Sequence, residues 1–473
     1  MFRKILKNTL IYSIAPYIPS FANLLILPLI TKELTEVDYG ISGTIIAYTS
    51  ALSALSVLGL SVILNNSFFH NPNRYKYIWR QIYGFLILWN LVYSIILGVF
   101  LFIFMPEAAI ENRMLIVLLN TLPIAFFGPT NFIGTTYYTL KQNALPIGIR
   151  TAIFGLLAVL LNLVFILKFK LGYMGWFYTN FIVGVLTNVS YWYVLNRKLD
   201  VTPIYRFKFK TIKNSLTISL PLLPHQYSYY LLSGSERLVM DQLKINTGKI
   251  GEFNIASTFS NYVANFAQAG STAIGPVLMN LYKENKYKKA RDVVFLYLTG
   301  LLVFNFIISL WIKEIFYLLI NNETLRNTYD IAIILIMSVS FTPLFVGYFN
   351  LLTYNQKTKN IWRITFIAGL ICIILNLIFL QYYGVIFSAI AIYISNIYRG
   401  LSGYYLKSFK SVSDFKYYPE LWILLIIVSS IIVFYIKDID VIMKVCLTII
   451  ALVVSLLIVL FKHKLIFKFA NRK

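Results

Sequence analysis

Long apolar runs follow one another along almost the entire chain, and they restrict the fold more than any other feature. A helix rises about 1.5 Å per residue, so roughly 20 apolar residues cross a bilayer core about 30 Å thick. Only 13% of the 473 residues are charged, whereas soluble domains carry about 25%. The runs are also too long for barrel strands, which need about 9–11 residues. The sequence therefore predicts an all-α polytopic membrane protein with about 14 transmembrane helices. The predicted spans are Thr9–Ile30, Tyr39–Leu64, Ile82–Met105, Met114–Thr139, Ile147–Leu167, Gly172–Leu195, Ser215–Met240, Ile250–Leu281, Val293–Ile312, Ile331–Tyr354, Ile361–Leu380, Tyr382–Tyr405, Leu421–Ile436 and Val441–Phe461.

Basic residues are concentrated in every second connection between these spans. With the N-terminus inside, 30 of the 42 Lys and Arg residues fall in inner segments, and 13 of the 18 acidic residues fall outside. The positive-inside rule then predicts a multi-pass membrane protein with both termini cytoplasmic. The net charge of +24 is thus explained by orientation, and no nucleic-acid partner is expected. The longest inner connection, residues 196–214, is expected either to be a solvated linker or to lie along the anionic inner leaflet.

Sequence motifs of enzymes are missing from the chain. It contains no H-E-x-x-H, no glycine-rich phosphate loop and no Cys/His spacing of a metal site. Its two cysteines, Cys372 and Cys446, lie inside apolar runs and cannot form a disulfide framework. We therefore expect a transporter without a metal or cofactor, and not an enzyme.

The first twelve spans form an internal repeat. Six spans per copy is an even number, so both copies enter the membrane from the same side and have parallel topology. The sequence thus predicts an N-lobe at 1–196 with helices 1–6, a basic cytoplasmic linker at 197–214, and a C-lobe at 215–407 with helices 7–12. Residues 408–473 are predicted to add two helices and a basic cytoplasmic tail. The equivalent pairs are Pro16 with Pro221, Gly40 with Gly251, Asn162 with Asn376, and Arg150 with Arg363.

Several short motifs occur in the order typical of one transporter superfamily. They are Leu34–Gly40, which ends in Tyr-Gly, then Asn162 followed by Gly172, then Ser235–Met240 with its Glu-Arg pair, and Gly248–Phe253. Over spans one to twelve the chain resembles the multidrug/oligosaccharidyl-lipid/polysaccharide exporter superfamily, and within it the polysaccharide-unit flippases of O-antigen, capsule and exopolysaccharide synthesis. The resemblance implies a two-lobed alternating-access carrier for an undecaprenyl-diphosphate-linked oligosaccharide in the bacterial cytoplasmic (inner) membrane. It also implies membrane lipids, a polysaccharide polymerase and assembly proteins as partners.

Three other functions stay open at this point. A lipid II flippase usually has an Arg and an acid in the middle of its first span, and Pro16–Ile30 carries no charge; a teichoic-acid-type flippase belongs to the same group. A cation-coupled drug exporter more often needs carboxylates within the spans of the first lobe. A membrane glycan polymerase or glycosyltransferase usually needs a large outer loop or a soluble domain.

Basic residues within or beside spans are the candidates for binding a diphosphate. Ionisable groups at membrane depth are costly and usually functional, and guanidinium groups bind phosphate bidentately. The cationic candidates are Arg237, Arg399, Arg150 and Arg363. Flanking arginines that reach back to the interface would explain Arg150 and Arg363 equally well.

Other polar residues in the spans are candidates for cavity lining or for ion coupling. His225 can change charge near neutral pH, while Asn265 and Gln268 share one helix face and Asn23 lies in the first span. These four are expected to line a polar cavity. Asp241 and Glu236 are expected to act in coupling or in an ion pair with Arg237, since Arg237 and Asp241 have the i, i+4 spacing of a helical pair.

Overall fold

The computed structural model describes residues 15–412, 415–453 and 455. All regular secondary structure among these residues is helical, which confirms the all-α class. Every predicted span coincides with one helix or with consecutive helical segments, except that the start of the first span and the second half of the last lie outside the described residues. We number the α-helices from α1 to α21. They are Tyr17–Glu33, Glu36–Ser53, Ser61–His70, Tyr75–Ile103, Arg113–Phe127, Thr130–Leu140, Leu145–Asn162, Met174–Tyr193, Phe209–Ser219, Leu223–Ser233, Ser235–Gln242, Thr247–Lys283, Tyr287–Leu319, Glu323–Arg326, Tyr329–Ser338, Thr342–Tyr354, Ile361–Tyr383, Ile386–Tyr405, Lys407–Lys410, Pro419–Ile436 and Val441–Val453.

Several spans are interrupted within their apolar stretch. Span seven passes from α9 into α10 through a 3₁₀ turn, Leu220–Leu222, that contains Pro221. Span ten has a similar turn, Val339–Phe341, just before Pro343. Proline lacks the N–H that continues an α-helical ladder, so the helix gives way to a tighter turn at these points. The other short segments are the 3₁₀ helices Ala54–Ser56 and Glu107–Asn112 and the π-helices Leu163–Lys168 and Val194–Lys198.

The backbone supports the internal repeat. Gln142 follows α6 with a φ of 52°, and Gln356 follows α16 with a φ of 55°. In both places the next amide hydrogen-bonds a carbonyl five residues earlier, at 3.0 Å and 2.8 Å. The two glutamines lie 214 residues apart, as do Asn162 and Asn376. The fourth-to-fifth and tenth-to-eleventh connections therefore end their helices in the same way.

The described residues form two compact units. Unit 1 comprises the chain up to Tyr230 together with Arg237–Glu252 and Leu319–Asn322. Unit 2 comprises Leu231–Glu236, Phe253–Leu318 and the chain from Glu323 onward. The lobe boundaries expected from the sequence stay a prediction. Unit 1 does not end where the predicted N-lobe ends, because it continues past the linker and includes a later segment around the start of α12.

Two repeat-equivalent glycines meet inside unit 1. A β-carbon on Gly40 of α2 would overlap the carbonyl oxygen of Thr247, and one on Gly251 of α12 would overlap that of Glu36. The same added atom on Gly251 would lie 2.8 Å from the Gly40 nitrogen. Small residues let two helix backbones approach this closely within a membrane. The starts of α2 and α12 therefore cross at a point where no side chain fits.

Charged side chains attach the C-terminal hairpin to the rest of unit 2. Lys444 is fully buried (0% exposed) and its Nζ donates to Glu314 Oε1 at 2.7 Å. Lys437 pairs with Asp330 in the same region. One turn beyond Lys444, Thr448 accepts a hydrogen bond from Trp311 at 2.9 Å. These contacts hold α20 and α21 against α13 and α15.

Replacing Lys444 with alanine is expected to destabilise the protein by about 3 kcal/mol, because removing one partner of a buried ion pair costs roughly 3–5 kcal/mol. The lower end applies because the Glu314 side chain is 34% exposed. Thermal unfolding in detergent measures the change. The exposed residue Lys359 offers the matched control as Lys359→Ala. Equal melting temperatures for the Lys444→Ala variant and the wild type would show that the buried pair contributes nothing.

Candidate functional site

A cavity of about 410 Å³ with both polar and apolar lining residues lies within unit 1. Its volume falls in the range of about 300–1,000 Å³ that is usual for ligand pockets. The walls come from α2, α4, α5, α6 and α8. Fifteen residues line it: Thr49, Ser50, Ser53, Ser56, Val57, Asn90, Tyr93, Leu97, Asn120, Ile124, Gly128, Pro129, Asn131, Phe132 and Asn188.

Two breaks in membrane-spanning helices converge on this cavity. Span two stops at Ser53 and resumes at Ser61, and φ is positive at Leu58 (49°) and Gly59 (68°) between them. Span four breaks at Gly128, whose φ of 51° and ψ of −129° suit only glycine. Irregular backbone at membrane depth is tolerated where it is buried in protein or lines a polar cavity, and transporter sites are typically formed by such discontinuous helices.

Side chains from α4 satisfy the carbonyls that the first break releases. Trp89 Nε1 donates to the Leu55 carbonyl at 2.8 Å, and Asn90 Nδ2 donates to the Ser56 carbonyl at 3.0 Å. Asn90 also donates to Leu86 at 2.7 Å. The broken segment is thereby fixed against α4, and this fixes the cavity wall it forms.

The cavity lining is rich in hydrogen-bond acceptors. Asn120 Nδ2 donates to the Ile116 carbonyl of its own helix at 2.8 Å, which leaves its amide oxygen for a ligand. The hydroxyls of Ser53 and Ser56 each donate to a carbonyl three residues earlier, at 2.8 Å and 2.7 Å, and their oxygens can still accept. Acceptors of this kind fit a ligand that brings many O–H donors.

The fifteen lining residues include no Lys, Arg, His, Asp or Glu. Among these described residues an organic cation would find no counter-charge, and an anion would find no cation. Burying an unpaired charge is strongly unfavourable. The cavity is therefore suited to an uncharged, hydroxyl-rich group such as a sugar.

Arg150 is half-buried on α7, and its guanidinium already has partners. Its Nε donates to Ser190 Oγ at 3.0 Å and its Nη1 to the Pro146 carbonyl at 2.8 Å. The guanidinium carbon lies 4.5 Å from the centre of the Tyr191 ring. These contacts join α7 to α8.

Arg363 does not occupy the position equivalent to Arg150. The 214-residue register places Ile364 opposite Arg150, and Ile364 is buried. Arg363 is exposed and lies 5.8 Å from the centre of the Trp362 ring. One residue turns a helix by about 100°, so the two arginines point in different local directions.

The other two predicted cations are half-buried, one in each unit. Arg237 lies on α11 in unit 1. Arg399 lies on α18 in unit 2, with its guanidinium carbon 5.2 Å from the centre of the Phe345 ring. The Arg399 carbonyl also accepts a hydrogen bond from Tyr348 at 2.9 Å.

The acidic candidates lie on the same short helix as Arg237. Asp241 accepts a hydrogen bond from the hydroxyl of Tyr48, and Gln242 donates to that hydroxyl at 3.0 Å. Asp241 therefore ties α11 to α2 within unit 1. Glu236 is only 2% exposed.

Three of the predicted polar cavity residues, Asn23, Asn265 and Gln268, are not among the described residues that line the cavity above. Asn23 is half-buried on α1, whereas Asn265 and Gln268 are exposed on α12 in unit 2. His225 lies in α10, and its side chain is outside the described residues.

The lining residues were missed because each of them is neutral. Asn90, Asn120, Asn131 and Asn188 stand alone in four separate segments, and nothing in the sequence shows that they converge. Two features of the sequence could have indicated the helix breaks at this cavity. They are Gly59 and the Gly128-Pro129 pair, which interrupt apolar runs.

Comparison with known proteins agrees with this fold. The model of the polysaccharide biosynthesis protein family matches residues 5–282, more than half of the chain. A comparison with curated proteins finds no match. The structure is similar to the lipid II flippase MurJ in an inward closed conformation, with a TM-score of 0.74 and 16% identity over 98% of this chain and 100% of that one.

Two further similar structures are transporters. One is an inward-facing MATE multidrug resistance transporter of the MOP superfamily, with a TM-score of 0.57 and 17% identity over 88% of this chain and 98% of that chain. The other is a MOP superfamily transporter from Pyrococcus furiosus, with a TM-score of 0.52 and 18% identity over 89% and 96%. The chain is a multi-pass membrane protein that belongs to the polysaccharide biosynthesis protein family.

Proposed function

We propose that the protein is a flippase that carries an undecaprenyl-diphosphate-linked oligosaccharide repeat unit across the bacterial inner membrane by alternating access. One observation carries this proposal: the described residues that line the cavity in unit 1 are uncharged and offer acceptors, and two broken helices contribute to its wall. Sugar hydroxyls both donate and accept hydrogen bonds, so they suit a lining of amides and hydroxyls. Membership of the polysaccharide biosynthesis protein family supports the same substrate class.

The proposed division of roles follows from charge. The cavity takes the glycan, and the diphosphate requires cations, for which Arg237 and Arg399 are the half-buried candidates. Asp241 is a candidate for coupling because it bonds a neighbouring helix through Tyr48. The glycan then passes to a polysaccharide polymerase and assembly proteins outside the membrane, with both termini of the carrier in the cytoplasm.

A second candidate is a lipid II or teichoic-acid-type flippase. The structural similarity to MurJ covers 98% of this chain. This similarity favours the second candidate over transporters with an unrelated fold. A cation-coupled drug exporter is less well supported, because the fifteen cavity residues provide no carboxylate for a cationic drug.

A deletion strain tests the function directly. Loss of the protein is expected to remove surface glycan and to accumulate its undecaprenyl-diphosphate-linked repeat, detected by mass spectrometry of extracted lipids. Accumulation of lipid II would instead support the second candidate.

Complementation of that strain tests the arginines. Arg237→Ala and Arg399→Ala are each expected to reduce surface glycan at least about tenfold, the loss that corresponds to 1.4 kcal/mol of substrate binding. Protein level and topology should match the wild type, with Lys359→Ala as the exposed control. Normal glycan in both variants would remove the two arginines from the site.

A further inference from the structure

The basic connection between α8 and α9 is docked on the protein along its whole length. Its Ile204 amide donates to the Arg80 carbonyl at 2.9 Å, and Arg80 Nε returns a hydrogen bond to the Thr202 carbonyl at 3.0 Å. Further on, the Lys208 amide donates to Gln81 Oε1 at 3.1 Å. We call residues 199–210 the linker strip. Together with a hydrogen bond from Lys76 Nζ to the Leu199 carbonyl at 3.0 Å, these contacts fix the linker strip to the first turns of α4.

Close packing holds the linker strip in the same place. A β-carbon on Gly84 would overlap the Ile204 carbonyl, so the strip lies directly on the α4 backbone. Phe207 packs edge-on against Phe85, with ring centres 5.6 Å apart. Val201 is fully buried. The strip is therefore a fixed surface with a defined outward side.

The outward side of the strip combines exposed cations with exposed aromatic rings. Tyr205 is 57% exposed and Phe209 is 75% exposed. Arg206, Lys208 and Lys210 alternate with them and are also exposed. From residue 197 to residue 213 the chain carries six basic residues and one acid, a net charge of +5.

We propose that the linker strip is a docking surface for anionic phospholipid headgroups, here phosphatidylglycerol, of the leaflet predicted to be cytoplasmic. Each Lys or Arg near an anionic membrane surface contributes about 1 kcal/mol, and aromatic side chains favour the membrane interface. An acidic peptide would satisfy the cations but would leave two large rings in water. A phospholipid surface accommodates both, because rings enter the headgroup layer while cations bind phosphates.

Native mass spectrometry of the full-length protein in neutral detergent, titrated with phosphatidylglycerol or phosphatidylcholine, tests this surface. The variant Arg206→Gln/Lys208→Gln/Lys210→Gln is expected to weaken phosphatidylglycerol binding about a hundredfold, from three cations at about fivefold each. Phosphatidylcholine binding should change less than about twofold. Tyr205→Ser/Phe209→Ser is expected to weaken both lipids alike, since ring insertion does not depend on headgroup charge.

A second basic segment provides the matched control. Lys283, Lys288 and Lys289 lie in another predicted inner connection, beside the Lys286–Glu284 ion pair. The variant Lys283→Gln/Lys288→Gln/Lys289→Gln removes the same charge and should leave phosphatidylglycerol binding within about threefold of wild type. An equal loss of phosphatidylglycerol binding in both triple variants would show that binding depends on net charge alone, and this would overturn the proposal. Displacement of phosphatidylglycerol by equimolar undecaprenyl diphosphate would also overturn it, because the strip would then be a substrate site.

Discussion

Replacing Gly251 with valine is expected to abolish transport while leaving membrane insertion unchanged. An added side chain at this position overlaps the Glu36 carbonyl, so α2 and α12 cannot make their close crossing. Overpacking of this kind costs about 1–3 kcal/mol, which shifts a two-state equilibrium about 5- to 150-fold. Both helices begin at ends predicted to lie outside, where an alternating-access carrier must close. Complementation of surface glycan in the deletion strain measures the loss.

A matched glycine controls for the substitution itself. A β-carbon on Gly184, in α8 of unit 1, would meet nothing within 4 Å, so Gly184→Val is expected to retain surface glycan. If Gly251→Val complements as well as Gly184→Val, the crossing has no role in transport.

A disulfide across the same crossing gives an independent readout. A β-carbon on Gly248 would lie 3.8 Å from that of Glu36, which is the usual separation in disulfides. The variant Glu36→Cys/Gly248→Cys is therefore expected to cross-link under oxidation and to block transport until it is reduced. The exposed Cys446 is replaced by serine in this background to prevent other pairings.

The double variant Ser53→Ala/Asn120→Leu is expected to show the second large effect, a loss of glycan transport of about 30- to 150-fold. Each substitution removes a hydrogen-bond acceptor from the cavity, and each lost hydrogen bond costs roughly 0.5–1.5 kcal/mol of substrate binding. The larger leucine side chain also reduces the volume left for the glycan. Both side chains donate only within their own helices, so the fold should persist. Transport by purified protein in vesicles measures the change.

An asparagine outside the cavity controls for this result. Asn143 is exposed in the connection after α6, and Asn143→Leu is expected to transport as the wild type does. Unchanged transport in the double variant, with equal thermal stability, would show that the glycan binds elsewhere.

Much of the fold follows from local sequence properties. Spans appear as apolar runs because a bilayer forces every backbone group to bond within its own helix. The internal repeat could also be predicted from the sequence. Gly40 and Gly251 occupy equivalent positions in its two copies, and each is a glycine because another backbone approaches it closely. The register within the repeat was less certain. The 214-residue offset places Arg363 one residue from the equivalent of Arg150, because charges alone do not report helix phase.

The candidate site depended on information that a single sequence does not carry. Most of the residues predicted for the site are ionisable, and such residues are conspicuous in a sequence because burying them in a membrane is energetically costly. The cavity instead uses Ser53 and Asn120, which donate within their own helices, and Asn90, which donates to Leu86 in its own helix and to Ser56 at the first break. Their convergence depends on the packing of five helices and on the breaks near Gly59 and Gly128.

Transport in reconstituted vesicles tests the central claim most directly. A fluorescent undecaprenyl-diphosphate-linked oligosaccharide is placed in one leaflet, and its arrival in the other is followed with a membrane-impermeant glycan-cleaving reagent. Wild-type protein is expected to speed this movement at least about tenfold over protein-free vesicles, and Ser53→Ala/Asn120→Leu should return it to background. Movement of an organic cation without movement of the glycan would contradict the account.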